Sequence, residues 1–404
     1  MTASTAAAAT EVPSGFFFSA IATGIKASGR PDLACVWIPS GASASAVFTT
    51  NRVVAAPLEV DREHLKRSGG HVSLLIVNAG NANCATGSQG RRDCETVCRQ
   101  AARLLKVPTE SVLPSSTGVI GVRLPVQKII SALPGLMAAQ AGGEQAAEGF
   151  ARAIMTTDTR PKIVSRRVRA GSGSFALLGI AKGAGMIHPN LATMLVYLFT
   201  DIEANPRELR PLLRAACNDS FNCISVDGDT STNDTVLLLA SGASGLSLRS
   251  AGVRTKFTQA LNDACKELAF QIISNGEGVK HVIRLRIEQA RDRREAIQVA
   301  RTIAHSPLVK TAWAGADPNW GRILAAIGRS GVPLDLRRIN IFFGTLQVCR
   351  EGTDASFDER KAHEYLSQPQ YDVRVQLGRG RASLDFLTCD LTSDYVHINA
   401  DYTT

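Results

Sequence analysis

The stretch Lys182-Gly183-Ala184-Gly185-Met186-Ile187-His188-Pro189-Asn190-Leu191-Ala192-Thr193-Met194-Leu195 decides how this chain is read. Its glycines loosen a turn, a hydroxyl residue (Thr193) follows a small one (Ala192), and an apolar run begins behind them. Two readings are open. One is an ordinary strand starting at Ala192, because apolar runs after Gly and Pro usually are strands. The other is a chain that cuts itself at Ala192-Thr193. A threonine hydroxyl is not a useful nucleophile at neutral pH until a base takes its proton, and the α-amine of the same residue can be that base. That amine exists only after the bond breaks. It titrates at roughly pKa 7.7–8.0, so it can accept the hydroxyl proton and return it to a leaving amine.

Outward from this stretch, strands are expected at 162–169 and 173–180 before it, and at 194–201 and 234–241 after it. Residues 14–60 read as sheet, and Val72–Val77 as a buried strand running into a loop of small and amide residues, Asn78 to Gly87. Val112 to Gly121 reads as a strand entering a hydroxyl-rich turn. Helices are expected at 91–105, 126–137, 143–155, 206–218, 255–269 and 290–305, and the last hundred residues read as strand-rich. Alternating sheets and helices give a mixed α/β class. Two lobes are expected, residues 1–192 and residues 193–404.

At 404 residues, 45% apolar and 20% charged, the chain has the composition of a soluble globular protein. The odd set of nine cysteines without a C-x-x-C pair suggests neither a disulfide framework nor a zinc site, and a reducing cytoplasm is expected. The leading Met1 to Pro13 has no basic residue, so no targeting segment is expected. No apolar run of about 18 residues suggests a membrane span. The net charge of +9 lies wholly before Thr193, with 20 Lys and Arg against 11 Asp and Glu there and 25 against 25 beyond. The densest basic cluster, Arg160, Lys162, Arg166, Arg167 and Arg169, reads as a strand with outward charges. With 5% aromatics and no interleaved stacking platform, attraction of a small carboxylate is favoured over nucleic acid.

Several motifs carry chemistry, each with a plainer reading beside it. Thr117-Gly118 pairs a hydroxyl with an amide on a turn, which suits an oxyanion hole, as any Ser/Thr-Gly turn would. Ser225 to Asp234 resembles half of a calcium loop, but Thr232 stands where glycine is needed and Leu238 where the bidentate glutamate is needed. It is expected to be a turn bracing the site, and no metal is expected. Glu277 between Gly276 and Gly278 leaves room for a ligand amine, or is a solvated turn residue. Asp317 to Arg322 is expected to pin a loop between lobes, and His188 to pack rather than to act as a base. No phosphate loop, Rossmann fingerprint, G-x-S-x-G elbow or H-E-x-x-H pair occurs.

Together these pieces resemble the ornithine acetyltransferase family, also called glutamate N-acetyltransferase. The resemblance spans nearly the whole chain, through Gly24-Ile25-Lys26, Val47-Phe48-Thr49, Asn78 to Asn83, Ser116 to Gly121, Thr156 to Thr159, the opening stretch, Ser225 to Asp234, Gly276 to Gly278, Asp317 to Arg322 and Asn399 to Thr404. It implies helix-sheet-sheet-helix layers and a precursor that cleaves itself between Ala192 and Thr193. It implies Thr193 as the nucleophile, with Thr117 and Gly118 as the oxyanion hole. Thr156, Lys182, Thr193, Glu277, Asn399 and Thr404 are the implied substrate contacts. The implied reaction moves an acetyl group from N2-acetyl-L-ornithine to L-glutamate in arginine biosynthesis, without a cofactor, with acetyl-CoA as a further candidate co-substrate. An α2β2 assembly is implied as well. An aminopeptidase or amidase using the same Thr193, and a basic scaffold binding RNA, are the alternatives. The chain departs from the family pattern at Cys84-Ala85, at Asn275 and at Val279-Lys280-His281, which bears on substrate range.

Overall fold

The computed structural model describes residues 10–188 and 194–401. In chain order the first part runs β1 (Phe17–Ile21), β2 (Leu33–Phe48), α1 (Ala56–Arg67), β3 (His71–Asn81), α2 (Gly87–Leu105), β4 (Val112–Val119), α3 (Val126–Ala138), α4 (Glu144–Ala153), β5 (Lys162–Ala170) and β6 (Gly173–Lys182). It continues with β7 (Leu195–Thr200), α5 (Pro206–Asn218), β8 (Thr235–Ala240) and α6 (Ala251–Ser274). These eight strands form one sheet in the order β4-β3-β2-β8-β7-β6-β5, with β1 on β2.

β2 bends this sheet. Its 16 residues shift register between Trp37 and Ala42; the first part pairs with β1 and β3, and the later part with β8 and, at Ala42 and Ser43, with the start of β3. Gly41 sits in the bend at φ +73°, where a Cβ would lie 2.0 Å from the His71 ring. The bend brings the two halves face to face. Phe18 on β1 and Phe199 on β7 meet edge to face at 5.3 Å, although three strand steps of about 4.8 Å would separate them in a flat sheet. The parity of β7 fits the layering, because Leu195, Tyr197 and Phe199 face the inner core while Val196 and Leu198 face α5 and α6. On the other half, Leu74, Ile76 and Val112 pack against α2 and α3 through Val97, Ala101, Ile129 and Leu133. This is the expected helix-sheet-sheet-helix arrangement. Strands buried on both faces read as continuous apolar runs, which is why 175–181 and 194–199 look so uniform.

The second part comprises β9 (Val282–Ala290), α7 (Arg293–Ala304), α8 (Pro307–Ala314), α9 (Trp320–Gly328), β10 (Asn340–Phe343), β11 (Leu346–Arg350), β12 (Thr353–Asp354), α10 (Glu359–Leu366), β13 (Gln370–Gln376), β14 (Ala382–Cys389) and α11 (Ser393–Asp401). Its six strands order β12-β11-β10-β13-β9-β14, and helices cover one face around Trp313, Leu285 and Val373. The sheets therefore divide between β8 and β9, and the larger one takes strands from both sides of 192/193.

Four local expectations change. Residues 56–67 form a helix inside the stretch read as sheet, with Pro57 in its first turn. β3 runs on to Asn81 into the segment read as loop. Residue 290 ends a strand rather than starting a helix. Asp317 to Arg322 does not link lobes: Asn319 caps α9, accepting from Arg322 N, and Trp320 packs within the second part.

Candidate active site

The bent sheet brings the ends of β4 and β6 together, though four strands lie between them in sheet order. β4 delivers Thr117 and Gly118. Gly118 has φ +132°, and a Cβ there would stand 2.3 Å from Gly80 C and 2.5 Å from Asn81 N, so β3 and β4 approach too closely for any other residue. β6 ends in Lys182, whose Nζ donates to Thr117 Oγ1 at 3.1 Å. Both side chains are buried, at 2% and 3% exposure.

Asp158, just beyond α4, ties the neighbourhood together. Its Oδ1 accepts from Lys162 Nζ and from Gly183 N at 2.7 Å, and its Oδ2 accepts from Thr156 N at 3.1 Å. Burial pulls its pKa up, but the Lys162 and Lys182 ammonium groups outweigh burial and hold it at about 2. Lys162, expected among outward charges, is fully buried, because Asp158 and Asn275 Oδ1 (2.8 Å from Nζ) accept from its ammonium there. Asn275 also donates to Thr159 Oγ1, so this departure from the family pattern stands in the ammonium's immediate surroundings. Two of the outward cations of that strand are locally paired, Arg166 with Glu267 and Arg167 with Glu11.

Glu277 follows the end of α6. Its amide donates to Ala184 O at 3.0 Å and its carboxylate lies over Gly185, where a Cβ would be 2.4 Å from Oε2. Asn399 Nδ2 donates to the same oxygen at 2.8 Å. Asn399 and Tyr395 sit four residues apart on one face of α11.

The segment Ser225 to Asp234 braces the site, as expected. Asn233 Nδ2 donates to Ala82 O at 2.7 Å and to Ser116 O at 2.8 Å. Asp227 accepts from Met186 N (2.6 Å), Ile187 N (2.9 Å) and Tyr395 OH (3.3 Å); burial pushes its pKa up to about 6. Asp234 Oδ1 accepts from Met194 N at 2.9 Å. The chain is thus held on both sides of 189–193. Ala192, Thr193 and Thr404 lie outside the described residues. His188 packs, as expected: its Nδ1 meets His305 Nε2 at 3.0 Å, and burial lowers the two rings to about 4 and about 3, so both are neutral near pH 7.

Thr117, Gly118, Thr156, Lys182, Glu277 and Asn399 therefore line one cavity of about 230 Å³. That is below the roughly 300 Å³ where pockets for drug-sized ligands begin, so it suits a small molecule. One ammonium (Lys182) and three carboxylates (Asp227, Asp229, Glu277) face it, a charge pattern fitting a zwitterion. Asp227, Asp229 and Tyr395 were not singled out as lining residues. The acidic run 225–234 carried a signal for the first two, while Tyr395 had none beyond its four-residue spacing from Asn399. Among the described residues, no group of three or more His, Cys, Asp and Glu side chains could hold a metal ion, and no helix is long and apolar enough to cross a membrane.

A buried hydroxyl and ammonium at the open end of a double-layered sheet face a cavity sized for a small zwitterion, the outline of an enzyme site for a small molecule. Residues 17–404 match the ArgJ family, and the chain belongs to that family, acetyltransferases of arginine biosynthesis. It is 45% identical over 394 residues to the arginine biosynthesis bifunctional protein ArgJ of Methylococcus capsulatus, covering 96% of this chain and 95% of that protein. It is 42% identical to the protein of the same name from Chlorobaculum tepidum, covering 96% of each. A crystal structure of arginine biosynthesis bifunctional protein ArgJ from Bacillus halodurans is 39% identical, covers 52% of this chain and 98% of its own, and superposes with a TM-score of 0.49. The match over residues 17–404 bears out the family resemblance, and the two sheets with their flanking helices bear out the mixed α/β class.

Proposed function

We propose that the chain is a precursor that cleaves itself between Ala192 and Thr193, and that mature Thr193 then carries an acetyl group from N2-acetyl-L-ornithine to L-glutamate. The observation that supports this best is the convergence of Thr117, Gly118, Thr156, Lys182, Glu277 and Asn399 on one small cavity. Met194, the residue after Thr193, is fixed beside them by Asp234.

In the precursor, Thr193 Oγ attacks the Ala192 carbonyl carbon, the peptide C–N bond breaks as the nitrogen takes a proton, and water hydrolyses the resulting ester. In the mature enzyme, the α-amine of Thr193 takes the hydroxyl proton while Oγ attacks the acetyl carbonyl of the donor. The Thr117 hydroxyl and the Gly118 amide hold the oxyanion, each donor contributing about 3 kcal/mol to the transition state. Ornithine leaves with the proton on its α-nitrogen, and the glutamate amine attacks the acetyl ester. Both substrates carry an α-carboxylate, so Lys182 serves both half-reactions, and Glu277 pairs with an ammonium. Acetyl-CoA, as a second donor to the same threonine, is consistent with the word bifunctional in the relatives' names. The two chains assemble as α2β2 in the cytoplasm.

The test is acetyl transfer without acetyl-CoA. Incubation with N2-acetyl-L-ornithine alone should release ornithine and add one acetyl group to the mass of the fragment starting at Thr193. Glutamate should then discharge it as N-acetylglutamate. Discharge to free acetate at the same rate with or without glutamate would establish the amidase reading instead.

A further inference from the structure

The proposed oxyanion role asks one thing of Thr117 that its identity alone does not guarantee. A hydroxyl has a single proton on a rotor, and it stabilises an oxyanion only when that proton points into the cavity. Lys182 Nζ lies 3.1 Å from Thr117 Oγ1. An ammonium has three donors and no acceptor, so this bond has one direction: Lys182 donates and Thr117 accepts.

We infer that Lys182 is a positioning residue for the oxyanion hole: by occupying a lone pair of Thr117 Oγ1, its ammonium turns the hydroxyl proton away from itself and into the cavity that both residues line. This rests on the acyl-transfer reading above and adds to it. A hydroxyl accepting from a cation is also a stronger donor, because hydrogen bonds in a chain polarise one another where water is excluded.

The surroundings are built to hold Lys182 in place. Its Cα ends β6, and the next amide, Gly183 N, is fixed by Asp158 at 2.7 Å. The same carboxylate accepts from Thr156 N at 3.1 Å and from the buried Lys162, so the backbone of cavity-lining Thr156 and the residue next to Lys182 hang on one side chain. Burial lowers the Lys182 pKa, and the carboxylates of Asp158 and Glu277 oppose that shift in part. Among the described residues Thr117 is the one hydrogen-bond acceptor of the ammonium, which leaves two further N–H groups for a substrate carboxylate, so one side chain joins substrate binding to the alignment of the hole.

This dual role separates in a double-mutant cycle, with kcat and KM read for Thr117→Val, Lys182→Met and the combined variant. Thr117→Val should lower kcat by about 10²–10³-fold, the usual cost of one oxyanion donor. Lys182→Met should lower kcat by roughly tenfold or more and raise KM. In the combined variant kcat should match that of Thr117→Val within about twofold, since no hydroxyl is left to orient, while KM stays raised. Lys182→Arg, which keeps a charged donor, should recover part of kcat. Losses in kcat that multiply would overturn the inference and leave the oxyanion role standing. Wild-type kcat in Thr117→Val would remove that role and the inference with it. If a variant stays uncleaved, the same cycle is read on the rate of fragment appearance, where attack on the Ala192 carbonyl develops a like oxyanion. Independence of the two substitutions there would count equally against the inference.

Discussion

Gly118→Ala is the sharpest structural perturbation this site offers. The new Cβ would stand 2.3 Å from Gly80 C and 2.5 Å from Asn81 N, both backbone atoms on a paired strand that cannot turn aside as a side chain does. Restoring an ordinary contact needs about 1 Å of movement between β3 and β4, and forcing extra volume into a packed interior costs about 1–3 kcal/mol. The residue also keeps φ +132°, a conformation that costs a non-glycine residue about 1–3 kcal/mol. The sum is about 2–6 kcal/mol of stability. Because Thr117 moves with its neighbour, a misplacement near 1 Å should also lower kcat by about 100-fold. Gly121→Ala is the control: its φ is also positive, +82°, but nothing lies within 4 Å of the new Cβ, so only the backbone term remains, about 1–2 kcal/mol. Urea midpoints, taken with the slope of the transition, measure the difference, and steady-state kcat measures the displacement. Equal losses of stability in the two variants, or wild-type kcat in Gly118→Ala, would refute the reasoning.

Further expectations can be measured with the same preparations. Gly185→Ala places a Cβ 2.4 Å from Glu277 Oε2, the end of a flexible side chain, so stability should change by less than about 1 kcal/mol while KM rises severalfold. Asp234→Ala removes the acceptor of Met194 N and leaves a buried amide unpaired, costing about 1–3 kcal/mol and slowing self-cleavage; Asp234→Asn, which keeps an acceptor, should slow it less, as fragment appearance on a gel will show. Asp158, held at about 2 in the folded chain against an ordinary 3.8, stabilises the fold above pH 4. That contribution, about 2 kcal/mol, should be lost as pH falls through 2, and the acid-unfolding curve of Asp158→Asn should lack this increment. His188→Gln should leave the shape of the kcat–pH profile between pH 6 and 9 unchanged, because burial keeps the His188 ring neutral throughout that range.

The layered class was legible because strands buried on both faces leave continuous apolar runs, and β6, β7 and β8 read plainly as strands. The bend in β2 was not legible: it rests on one glycine, Gly41, whose role depends on the distant His71 ring. β9 alternates arginines with apolar residues, but its proximity to α7 let a helix be read across its end. Lys162 was misread because a strand pattern gives the side on which a residue lies, and says nothing of a carboxylate waiting there. The site residues were visible one motif at a time, each as ordinary turn chemistry. Their convergence was invisible, since Thr117 and Lys182 meet only once the sheet has folded over.

The central claim, a threonine nucleophile released by self-cleavage, is tested most directly by the intact mass and N-terminal sequence of the purified wild-type protein. The expected result is two fragments of 192 and 212 residues, the second beginning with Thr193, and one inactive chain of 404 residues for Thr193→Ala. A fully active wild-type protein that remains a single uncut chain would contradict it.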